Sequence, residues 1–153
     1  MTSPATTRQR SREGGEVSWV TLVLLASLLG GGYLAVVWVP VYIVRYEVGM
    51  VATEFVNKAV HNRDDAALVS GLCTRLAKLD QVKAPAADGT IITVPAVDLR
   101  PEDVTWQRDT AAVPPTLHLA FEYTAVVHYP IFERFTEKTF GIERSQDIQP
   151  VKW

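Results

Sequence analysis

The stretch that decides the fold is "VSWVTLVLLASLLGGGYLAVVWVPVYIV", residues 17–44. It runs for 28 residues without one charged side chain. A helix that crosses a bilayer needs about 20 mostly apolar residues, whereas a signal-peptide core has only about 7–15. No small-x-small cleavage pattern followed by polar sequence ends the run. The expectation is a retained transmembrane helix over residues 17–44. Its edges carry interfacial chemistry: Glu16 and Trp19 on one side, Trp38, Tyr42, Arg45 and Tyr46 on the other. Trp and Tyr favour the membrane interface, where the ring is apolar and the N–H or O–H reaches water. Pro40 falls near the outer end, where it can bend the helix.

Three adjacent glycines, Gly30, Gly31 and Gly32, sit in the middle of this run. In water each would weaken a helix by about 1 kcal/mol relative to alanine. In lipid, an unsatisfied backbone group costs several kcal/mol, so the helix is expected to persist. Ala26 and Gly30, and Ser27 and Gly31, stand four apart. Small residues at that spacing let a second helix approach closely. Ala26, Ser27, Gly30, Gly31 and Gly32 are therefore the helix-packing candidates, with simple tolerance of glycine as the alternative.

Residues 1–16 are rich in Ser, Thr, Arg and Gly and offer little to bury, so they read as a disordered basic tail. Arg8, Arg10 and Arg12 lie before the apolar run, partly offset by Glu13 and Glu16; the other flank has Arg45 and, further on, Lys58 and Arg63. The positive-inside rule then places the N-terminus in the cytoplasm and residues 45–153 outside it, in the periplasm for an inner-membrane protein.

Beyond the anchor the helical period continues. Val44, Val48, Val51, Ala52, Phe55 and Ala59 fall on one face, predicting an amphipathic helix over about 45–61 that prolongs the first. Asp64 reads as the N-cap of a second helix, about 65–79, with Leu68, Leu72, Leu76 and Leu79 on one side. Then the period falls to two. Asp88-Gly89 signals a hairpin turn, and Pro85 and Pro95 mark its strands as edge-like. Strands are expected at about 90–97, 103–109, 116–128 and 137–143, with 103–109 and 116–128 as an antiparallel pair. The 116–128 segment places Leu117, Leu119, Phe121, Tyr123, Ala125 and Val127 on one face. "YPIFERF", 129–135, reads as a short helical or irregular connection. The fold class is α+β: a transmembrane helix continuing into an amphipathic one, a second helix, and a small antiparallel sheet packed on the helices.

No chemistry-bearing constellation emerges. The net charge of −2 gives no electrostatic reason to expect a nucleic-acid partner. His118, Glu122 and His128 share a strand face, but at about 3.3 Å per residue the two histidines lie roughly 33 Å apart, too far for one metal ion. The acidic pairs Asp64-Asp65 and Glu102-Asp103 adjoin element starts and read as capping. The glycine triplet lacks the Lys and Ser/Thr of a phosphate loop. Cys73, the single cysteine, reads as a small buried residue on a helix face, with an intermolecular disulfide as the alternative. Trp106 reads as core, with a partner-facing anchor as the alternative, and the terminal "PVKW" as an exposed tail. No catalytic residue, cofactor or metal is expected, and the anchor has no ionisable group to carry ions or protons.

A basic leader ending in glycine, "RQRSREGG", then a long apolar helix, an amphipathic continuation and a β-meander together resemble the type IV pilin class. With "VVWVPVYIVRYEVGMVATEFV", the chain is most similar to proteobacterial pilin-like inner-membrane proteins of unknown function and to minor pseudopilins of tight-adherence systems. The resemblance covers the order of elements more than specific motifs. After Gly15 stands Glu16 instead of the aromatic residue of the class, and Val20 takes the fifth mature position where the class has glutamate. Gly15 is kept as a candidate processing site, with a flexible juxtamembrane link as the alternative.

The resemblance implies a membrane-anchored structural or assembly component of a bacterial envelope complex, without catalysis. Its partners would be membrane lipid and other envelope proteins, met through the helix and the sheet surface, with homo-oligomerisation possible. A processed minor pilin of a filament or secretion system, or a membrane-tethered ligand-binding module, are the competing readings.

Overall fold

The computed structural model describes residues 18–148. The architecture is α+β: α1 (Trp19–Ala59), α2 (Asp65–Leu76), β1 (Gln81–Pro85), β2 (Ile91–Pro95), a single 3-10 turn at Pro101–Asp103, β3 (Thr105–Asp109), β4 (Thr116–Tyr129) and β5 (Arg134–Asp147). The described residues divide into two compact units, the boundary falling between Leu34 and Ala35.

Helix α1 is one element of 41 residues that passes through Pro40. Beyond Leu34 it buries Val37, Val44, Val48, Gly49, Val51, Ala52, Phe55, Val56 and Ala59, a stripe at the three- and four-residue spacing read from the sequence. It stops at Ala59, two residues short of the expected end, because Val60 and His61 donate to carbonyls three residues back and tighten the last turn. The side chain of Asn62 then accepts from Asp64 N–H at 2.9 Å. Asp64 caps α2 as expected, accepting from Ala67 N–H at 3.0 Å.

Helix α2 ends at Leu76, not Leu79. Lys78 and Leu79 donate to Arg75 and Leu76, again three residues back, and Asp80 then turns the chain into β1. Leu68, Val69, Leu72, Cys73 and Leu76 are buried. A side chain at Gly71 would come within 3.0 Å of the Phe55 ring, so this glycine is what lets α2 lie close on α1.

The strands form two sheets where a single one was expected. Strands β1 and β2 make a separate antiparallel hairpin, and β3, β4 and β5 a three-stranded antiparallel meander in that order. The β1–β2 turn uses Asp88, whose carboxylate accepts from Thr90 N–H and Oγ1, and Gly89 at φ +82°, a backbone region that disfavours other residues. Strand β2, Ile91–Pro95, is shorter than the expected 90–97; Ala96 N–H still donates to Asp80 O at 2.9 Å, one step beyond the Gln81↔Pro95 pair. Strand β3 begins at Thr105, since Pro101–Asp103 closes a 3-10 turn first.

The largest revision is at the end of the chain. Strand β5 runs from Arg134 to Asp147 and pairs with β4 along its whole length, from Tyr129↔Arg134 to Thr116↔Asp147. The expected 137–143 captured only its middle. "YPIFERF" is no helix: residues 130–133 are a tight turn in which Phe132 N–H donates to Tyr129 O at 3.2 Å and Glu133 takes φ +47°.

The predicted face of β4 points inward. Leu117, Leu119, Phe121, Tyr123 and Ala125 join the stripe of α1, the leucines of α2, Ala96, Val97, Leu99, Phe140, Ile142 and Ile148 in one apolar core. Leu72, Leu76, Leu117 and Leu119 have no meaningful exposure, and each contributes about 1.5–3 kcal/mol by leaving water.

Candidate functional site

Residues 20–32 of α1 are all exposed, although almost all are apolar. In the most apolar 18-residue window of the helix only 6% is buried, so this is not the hidden core helix of a globular domain. The helix is long and apolar enough to cross a membrane. Ala26, Ser27, Gly30, Gly31 and Gly32 all lie on this exposed surface. A methyl group added at any of the three glycines would touch nothing within 4 Å. Nothing inside the described chain therefore requires glycine there. Gly15 lies outside the described residues, as do the tail over 1–16 and the terminal Trp153.

Along its second half, α1 is read by β5. Phe140 meets Tyr42 edge-on at 6.2 Å between ring centres and lies under the Arg45 guanidinium at 5.1 Å. Arg144 passes Gly49, where a side chain would come within 3.2 Å of it, and reaches Thr53 Oγ1 at 3.4 Å. Gln146 donates to Asn57 Oδ1 at 2.7 Å. Between these contacts lies an open furrow of about 720 Å³. Its walls mix Arg45 and Arg144 with Glu54 and Glu143, so its field has no single sign that would select an anion or a cation.

The most ordered polar cluster joins three elements. Arg108 of β3 donates from Nη2 to Asp65 Oδ1 at 2.6 Å and from Nε to both carboxylate oxygens at 3.2 Å. Its Nη1 donates to Ala59 O at 3.0 Å and Nη2 to Asn62 O at 3.1 Å. The side chain is only 15% exposed. One guanidinium thus satisfies carbonyls at the end of α1 and the acid in the first turn of α2. The Arg108 hydrogen bond holds the Asp65 carboxyl below the usual carboxylate range, against some desolvation. Trp106 is half-buried against the core. Among the described residues its Nε1 has no partner in full hydrogen-bond geometry, and the nearby Asp65 carboxylate supplies a weaker electrostatic one. Sequence reading assigned the Asp64-Asp65 pair to capping and missed Arg108. The available signal was strand parity, because Arg108 shares the inward face of β3 with Trp106.

The chain matches no known family model, no curated protein and no solved structure. His118 and His128 stay apart on β4: His118 Nε2 lies 3.9 Å from Glu143 Oε1, and His128 stacks on Phe135 at 4.6 Å. Among the described residues, no three His, Cys, Asp or Glu side chains converge where a metal ion would be held. Cys73 is buried, and burial pushes its thiol pKa up, the reverse of what a nucleophile needs. The polar contacts of Asp64 and Arg108 are capping and clamping contacts. The large feature left over is the uncovered apolar half of α1.

Proposed function

We propose that the chain is a single-pass, membrane-anchored structural or assembly component of a bacterial envelope complex, with a pilin-like α+β domain and no catalysis. The observation that carries this reading is the all-round apolar, almost unburied first half of α1. A helix apolar on every side needs an apolar solvent, and a bilayer supplies one. The charge bias around the helix supports an N-terminus in the cytoplasm and a periplasmic domain at the inner membrane. The glycine-rich surface is the contact through which the anchor meets another helix or a second copy of the chain.

Two measurements test this. In spheroplasts of a Gram-negative host, added protease should cut beyond Arg45; cleavage only after rupture of the inner membrane would reverse the orientation. After mild-detergent extraction, the chain should co-purify with other envelope proteins or with itself, and a monomer without partners would count against an assembly role. N-terminal sequencing of the same sample decides processing. A start at Glu16 would convert the reading to a processed minor pilin.

A further inference from the structure

The β4–β5 hairpin ends in Tyr129-Pro130-Ile131-Phe132-Glu133. Turns in water favour Gly, Asn, Asp, Ser and Pro. This one presents Ile131 and Phe132, which are 70% and 65% exposed. The position of the tip gives these side chains a meaning. His128 and Pro130, at the hairpin end, line a largely apolar groove of about 280 Å³ together with Val36, Val37 and Pro40 of α1. The tip is therefore level with the last part of the charge-free run.

That level has a depth. Trp19 and Trp38 are nineteen residues apart. A helix needs about 20 mostly apolar residues to cross a bilayer's hydrocarbon core, so that sequence separation is close to one crossing. With the two tryptophans at the two interfaces, Val36 to Pro40 lie at the outer one, and the tip lies beside them. Tyr129 precedes the apolar pair, and Glu133 and Arg134 follow it. An aromatic residue, two large apolar residues and then charges fit the change from hydrocarbon edge to headgroup.

We propose that the β4–β5 tip is a second, shallow membrane contact, with Ile131 and Phe132 seated in the interfacial layer of the bilayer that α1 crosses. This rests on the anchor reading. The second contact fixes the height and rotation of the sheet over the membrane, which one helix would leave free. The other end of β4 supplies the internal control. Val113 is 94% exposed and apolar, but it precedes the first residue of a 14-residue strand whose last residue leads into the tip. It stands some 45 Å along the strand from the tip.

The test uses the full chain with Cys73→Ser, in phosphatidylethanolamine/phosphatidylglycerol vesicles. Single cysteines at Leu28, Val113, Ile131 or Phe132 carry an environment-sensitive fluorophore, and lipids bear a spin label at a shallow or a deep acyl carbon. Labels at Ile131 and Phe132 should be blue-shifted and quenched at least twofold more by the shallow spin label than by the deep one. The label at Leu28 should be quenched best by the deep one, and the label at Val113 by neither. If Ile131 and Phe132 behave like Val113 while Leu28 is quenched, the tip proposal is wrong and the anchor stands. If Leu28 is not quenched either, the anchor reading fails and the tip proposal falls with it.

Discussion

Helix α1 has two surfaces on one backbone. From Trp19 to Val36 no residue is buried, and the side chains are apolar nearly all round. From Val37 to Ala59 it buries one stripe and presents Arg45, Glu54, Asn57 and Lys58 to water. The difference lies in what must cover the helix, since both halves belong to one continuous helical element. A striped helix is completed by its own domain, whereas a helix apolar on all sides needs a solvent that the chain does not supply.

The largest expected effects come from placing charge in each half. Val48→Asp buries an unpaired carboxylate in the core and should cost more than about 4 kcal/mol, abolishing the cooperative melt of the detergent-solubilised domain. Leu25→Asp combined with Leu29→Asp should leave that melt intact. It should instead oppose membrane insertion by about 5–7 kcal/mol and move the protein to the soluble fraction. If the melt is lost in both variants, the two halves are not distinct in what covers them.

Arg108→Ala comes next. It removes the clamp on Asp65, Ala59 O and Asn62 O and should cost about 2–3 kcal/mol in thermal or denaturant unfolding. The pH dependence has a definite sign. Asp65 is held below its unfolded pKa of about 3.9, so its contribution is present above that pH and is lost as the pH falls through the lower, folded value. The stability gap between wild type and Asp65→Asn should therefore narrow between pH 6 and pH 2.5. A gap that stays constant over that range would show that the pair does not carry the charge-linked stability.

Glycines sharpen the contrast at smaller magnitude. Gly71→Leu drives a side chain into Phe55 and should cost about 1–3 kcal/mol in the melt. Gly30→Leu with Gly31→Leu meets open space, so it should leave insertion and melt unchanged and reduce only association, read by cross-linking in membranes. The smallest effect is at Tyr123. Among the described residues its buried hydroxyl has no hydrogen-bond partner, and burial raises its pKa. Tyr123→Phe should be neutral or stabilise the domain by up to about 1 kcal/mol in a urea melt. A loss would mean that the hydroxyl has a partner in solution.

Legibility in the sequence followed periodicity. Helices α1 and α2 and the inward face of β4 were readable because their apolar residues recur at 3.6 or at 2. Strand β5 was half-legible. As the outer strand of its sheet it buries only Phe140 and Ile142, so its alternation fades toward both ends. The division into two sheets, β1–β2 and β3–β4–β5, was not legible, because alternation marks a strand's faces and not which strands share a ladder. The Arg108–Asp65 pair spans 43 residues and needs the fold before it can be seen. The small-residue spacing from Ala26 to Gly32 was legible in the sequence, and among the described residues nothing lies against its three glycines.

The central claim is that lipid covers residues 19–36 of α1 and that the domain and water cover the rest. Spin labels on single cysteines at Leu22, Leu25, Leu29, Val36, Met50 and Asn57, in a Cys73→Ser chain reconstituted in vesicles, test it directly. Labels from Leu22 to Val36 should be reached by oxygen and shielded from a water-soluble nickel chelate, with the order reversed at Met50 and Asn57. Free access of the chelate from Leu22 through Val36 would contradict the account.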